Sequence, residues 1–123
     1  MRTARGFTLV ELLVVMAVVG VLLSLAAPRY LDHVERSRES VLRHNLAGLR
    51  EAIDQFRGDQ GRYPNDLKEL VSQRYLREVP LDPFTDRIDT WTIVPPQGQT
   101  AGVFDVRSGA PGAPRQGAPY ATW

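Results

Sequence analysis

The sequence has no cysteine, which excludes thiol catalysis, cysteine-based zinc sites and disulfide staples, and leaves the redox compartment open. Histidine is nearly as scarce. His33 and His44 stand too far apart for the close histidine pairs of helix-borne zinc sites, and both fall in a charged stretch that reads as exposed helix. No residue near them completes a nucleophile–base set. Charge of one sign is missing too: 15 Lys and Arg face 14 Asp and Glu, a formal net charge of +1, so no basic field calls for nucleic acid. Neither an enzyme, a metal site nor a nucleic-acid partner is expected.

One segment almost lacks charge altogether. From Phe7 to Ala27 the chain reads FTLVELLVVMAVVGVLLSLAA, with Glu11 its one ionisable side chain. As a helix these residues reach roughly 32 Å at about 1.5 Å per residue, enough to cross a bilayer's hydrocarbon core. Arg2 and Arg5 precede the span without an intervening acid, which places the amino end in the cytoplasm and the remainder across the membrane. Arg29, just beyond the span, weakens that asymmetry. A secretory signal peptide ending at Ser24-Leu25-Ala26, or a plain anchor, would have the same outline. Glu11 fits neither, because a carboxylate deep in hydrocarbon costs about 2.5–3.5 kcal/mol and usually marks function.

The spacing around Glu11 suggests its use. A cut after Gly6 would give Phe7 a free α-amino group, and Glu11 lies four residues on, so the two share one helix face. The charges can pair within one chain or between neighbouring subunits in a low-dielectric bundle; spacing does not choose between these. Gly6, lacking a Cβ, can extend into a tight protease cleft.

The run Gly6-Phe7-Thr8-Leu9-Val10-Glu11-Leu12 resembles the processing motif of type IV pilins and of the pseudopilins of type II secretion systems. The resemblance implies that a membrane prepilin peptidase cuts after Gly6 and methylates Phe7, that Glu11 acts in assembly, and that Pro28 is the helix-bending proline of the family. By its ring geometry, Pro28 is expected to bend or interrupt the helix.

Past Pro28 the helical period continues. Leu42, Leu46, Leu49, Ile53 and Phe56 form an apolar stripe on which a head can pack, flanked by the i, i+4 pairs Asp32–Arg36, Glu39–Arg43 and Arg50–Asp54. Gly58 and Gly61 end this helix. A short helix capped by Asn65 follows, then the strand candidates 90–94 and 102–106, separated by a Pro-, Gly- and Gln-rich loop as in an antiparallel hairpin. Residues 108–119 are Gly-, Ala- and Pro-rich and read as a loop or a loosely held tail, tied by Tyr120 and Trp123 docking on the head.

The expected fold is α+β: one long amino-terminal helix with a small antiparallel sheet packed on its second half. The expected organisation is a leader over 1–6, a transmembrane and assembly helix over 7–28, its amphipathic half over 29–60, and the head over 61–123. Tyr63-Pro64, Pro80-Leu81-Asp82-Pro83-Phe84, Gly102-Val103-Phe104-Asp105 and Ser108-Gly109 resemble the major pseudopilin of type II secretion systems more than a type IV pilin. That resemblance implies a single-pass protein of the bacterial inner membrane, amino end cytoplasmic and head periplasmic. It implies assembly with like and unlike pseudopilins into a periplasmic pseudopilus that drives protein export. Its partners would be prepilin peptidase, the inner-membrane secretion platform and membrane lipid. A surface type IV pilin, or a tethered binding module with an ordinary signal segment, are the alternatives. Major pseudopilins bind calcium through acidic residues in the loop after the Phe-Asp strand. Here no Asp or Glu follows Asp105, so no calcium cofactor is expected.

Overall fold

The computed structural model describes residues 4–123. Two compact units emerge, Met1–Arg36 and Ser37–Trp123, and α1 (Leu9–Gln60) contributes to both. In the first unit the side chains from Phe7 to Leu31 are exposed, Phe7 at 81%. α1 is the one helix, among the described residues, long and apolar enough to cross a membrane. It runs through Pro28 without a break, so the expected interruption there does not occur. It also runs through Gly58 and stops at Gln60. Gly61 alone takes the left-handed backbone of a helix end, with φ 72°.

The second unit is built on the stripe foreseen from the sequence. Leu42, Leu46, Leu49, Ile53 and Phe56 are all buried, with Ala52 beside them. Against them pack Leu67 and Leu70 of α2 (Leu67–Ser72), Trp91, Val103, Val106, Ala110 and Tyr120. A fully buried Leu or Phe of this kind contributes about 1.5–3 kcal/mol, so the stripe is what the head condenses on. His33 and His44 are exposed, as expected.

α2 is capped by Asp66, one residue later than expected: its carboxylate accepts from the Glu69 N–H at 2.8 Å. Asn65, the residue before the cap, donates its N–H to Glu69 Oε2 at 2.6 Å, so the Glu69 carboxylate folds back over the helix start. Arg62 donates to the same carboxylate at 2.6 Å and holds the Glu69 acid below its ordinary range, with the Asn65 N–H acting in the same direction.

The hairpin is present but shorter than the sequence suggests. β1 (Thr92–Val94) and β2 (Asp105–Arg107) are antiparallel, with Ile93 opposite Val106. Thr90 and Trp91 fall outside it: Trp91 is buried and donates its indole N–H to the Pro80 carbonyl at 2.8 Å. Gly102 and Val103 fall outside as well, because the Val103 N–H is taken by the Pro64 carbonyl at 2.9 Å. The expected α+β class, a long helix followed by a small two-stranded antiparallel sheet, is the observed one.

Candidate functional site

The residues singled out by the sequence gather where α1 begins. Residues 4–8 have no regular secondary structure and are exposed, so the Gly6–Phe7 bond lies outside the helix. Arg5 is exposed beside it, and Arg2 lies outside the described residues. The helix starts at Leu9, which makes Thr8 its N-cap and Glu11 its third residue. Thr8 Oγ1 accepts from the Glu11 N–H at 3.2 Å, while Glu11 Oε2 accepts from the Thr8 N–H at 3.1 Å. The Leu12 N–H closes the first full turn on the Thr8 carbonyl at 3.2 Å.

These two bonds form a reciprocal capping box, satisfying two backbone donors that the first turn would otherwise leave open. The Thr-x-x-Glu spacing was legible in the sequence, yet reading Glu11 only as the partner of a future ammonium passed over Thr8. In the uncut chain Glu11 is folded back toward its own amino end. Pro28 lies some five turns further along α1, apart from this cluster.

A second constellation fixes the segment that follows β2. Arg50 leaves the expected Asp54 pairing and reaches across the head. Its Nε bonds Asp105 Oδ1 at 2.8 Å, and its Nη2 donates to the Val106 carbonyl at 3.0 Å and to the main-chain oxygen of Trp123. Glu39 and Arg43 also turn to the tail instead of to each other. Tyr120 donates its hydroxyl to Glu39 Oε1 at 2.8 Å, and the Arg43 guanidinium lies 4.5 Å over the Trp123 ring. Tyr120 stacks on Phe84 with centroids 4.2 Å apart. The tail is thus docked by Tyr120 and Trp123, as expected, and Arg50 and Arg43 of α1 add contacts to it beyond the aromatic packing.

Below this, Asp82 and Ser108 are fully buried. Ser108 Oγ donates to Asp82 Oδ2 at 2.6 Å and accepts from the Ala110 N–H at 3.1 Å, while Asp82 Oδ1 accepts from the Phe84 N–H at 2.9 Å. Every buried oxygen of this pair therefore has a partner.

Comparison with known proteins places this arrangement. Residues 1–27 match the prokaryotic N-terminal methylation motif. The type II secretion system core protein G of Klebsiella pneumoniae is 30% identical over an alignment that takes in 100% of this chain and 96% of that protein. The chain belongs to this family of secretion-system core proteins. Within the pilin-like relatives, fimbrial protein EcpC of Eikenella corrodens is 39% identical, but over 63% of this chain and 54% of its own length. Type IV major pilin protein PilA of Myxococcus xanthus is 36% identical over 54% of this chain and 30% of its own length. No solved structure matches.

No Asp or Glu follows Asp105 of β2, and the Asp105 carboxylate is engaged by Arg50 and by the Val106 N–H. No group of three or more metal-binding side chains occurs among the described residues.

Proposed function

We propose that this chain is the structural subunit of a type II secretion pseudopilus, made as a precursor and cut between Gly6 and Phe7 by prepilin peptidase, which then methylates Phe7. The observation that carries this reading is the junction itself: an exposed, non-helical Gly6–Phe7 bond two residues ahead of α1, with Glu11 at the third position of that helix and the one acid of its apolar part, up to Ala27. The end-to-end match to a secretion core protein favours this over the pilin reading, whose relatives match over shorter stretches. Phe7–Ala27 spans the inner membrane, with the amino end cytoplasmic and the head in the periplasm, before the subunit moves into the filament. Catalysis and energy belong to partners, namely the peptidase, the membrane platform and its motor. The partners on the filament are further pseudopilins, like and unlike.

Glu11 neutralises the ammonium created at Phe7, within the chain or on a neighbour, so that the apolar helices can bundle without an uncompensated charge. Complementation tests both apparatus and residue. Deleting the gene abolishes export of secreted enzymes and leaves surface pili intact; Glu11→Ala restores membrane insertion but not export. Loss of surface pili with normal export would assign the chain to a pilus instead.

We also read the head as holding its tail without calcium. Arg50 supplies a fixed positive charge between β2 and Trp123, and this supports the reading.

A further inference from the structure

The capping box at the start of α1 bears on the peptide bond two residues before it. A helix can begin only where its first-turn N–H groups find acceptors, and that demand is strongest at the edge of a hydrocarbon layer. Here Thr8 and Glu11 meet it reciprocally and stop the helix at Leu9. Upstream, Ala4, Arg5 and Phe7 have no side chain suited to this task. The next positions able to start the helix are Gly6, where the absence of a side chain is tolerated, and Thr3. Either start puts Phe7 within the first four helical residues and carries the Gly6–Phe7 peptide into or against the helix. A cleft that pairs with main-chain groups needs them free and extended, and helical residues have theirs engaged.

We infer that Thr8 is a positioning residue for processing: its hydroxyl pins the helix boundary at Leu9 and so keeps the Gly6–Phe7 bond extended for the peptidase. The inference rests on the reading of that bond as the processing site. Glu11 takes part before the cut as well as after it, first as the acceptor for the Thr8 N–H and then as the neighbour of the new Phe7 ammonium. Thr8→Val keeps the shape of the side chain and removes the acceptor, whereas Thr8→Ser keeps the acceptor.

The test uses the full-length chain in lipid nanodiscs with purified prepilin peptidase, reading cleavage rates by mass and the backbone carbon shifts of Gly6 and Phe7. Thr8→Val should raise KM, by up to the roughly fivefold equilibrium bias a threonine cap typically supplies, with little change in kcat. The Gly6 and Phe7 shifts should move toward helical values in the same variant, and Thr8→Ser should restore both. Equal or faster cleavage of Thr8→Val overturns the inference, as does slower cleavage with unmoved shifts, which would mean direct contact between hydroxyl and peptidase. If the wild-type chain is not cut after Gly6, the processing reading itself fails; if it is cut but the valine variant behaves like it, only the role of Thr8 fails.

Discussion

Replacing Arg50 tests how the head keeps its tail. Arg50 is 39% exposed and Asp105 29%, so the pair is neither a solvent-washed surface bridge nor a buried one. Surface pairs contribute about 0–1 kcal/mol and removing one partner of a buried pair costs about 3–5. Arg50 also serves two main-chain oxygens, Val106 and Trp123. Hydrogen bonds to a charged group contribute about 1.5–3 kcal/mol each net of the water they replace, and less where the group is as exposed as Arg50. Taken between these limits, Arg50→Ala should cost about 2–3 kcal/mol. With a typical urea dependence of about 1–3 kcal/mol/M, the unfolding midpoint should fall by roughly 0.7–3 M.

The assay is urea unfolding of the full chain in detergent, followed by tryptophan emission, since Trp123 lies in the docked tail under Arg43. Arg50→Lys should recover about half the loss, because an ammonium keeps the charge but lacks the planar fork. Combined with Asp105→Ala, a double-mutant cycle should give a coupling of about 1–2 kcal/mol. A wild-type midpoint in Arg50→Ala would refute the reasoning, and full recovery by lysine would show that charge alone matters.

Other outcomes follow from the same geometry. Gly109→Ala would place a Cβ 1.8 Å from the Thr90 carbonyl oxygen, a backbone atom that cannot swing aside, so a loss at or above the usual overpacking range of about 1–3 kcal/mol is expected in the same urea assay. The Glu69 acid lies below its ordinary value of 4.5, chiefly through its hydrogen bond from Arg62 and then the Asn65 N–H. Such a group contributes full stability above that ordinary value and loses it as pH falls through the lower, folded one. The acid-side decline of the urea midpoint should therefore be shallower in Glu69→Gln than in wild type below about pH 4.5. Millimolar calcium should leave thermal unfolding unmoved, and a rise of several degrees would show that the tail gathers ligands after all.

The parts of this fold that were legible in the sequence are those set by local period. Leu42 to Phe56 recur at helical spacing, and all five are buried. The places where reading failed have local rivals. Asn65 and Asp66 are both good caps, and only the three-dimensional path shows that Asp66 accepts while Asn65 donates. Arg50 has Asp54 four residues on, yet bonds Asp105, 55 positions away, because closing the head brings β2 over that helix face. The second strand candidate slips toward Arg107 because Pro64 captures the Val103 N–H. At the amino end, Thr8 was visible as the first half of Thr-x-x-Glu but was overlooked in favour of the charge pair expected after cleavage.

The central claim is that maturation begins at Phe7 and creates the charge that Glu11 answers. Intact mass and amino-terminal fragment analysis of the membrane-extracted protein tests it most directly. The predicted result is a chain starting at N-methylated Phe7 that retains the whole apolar helix. A chain starting at Ala27, with that helix removed as a signal segment, would contradict it.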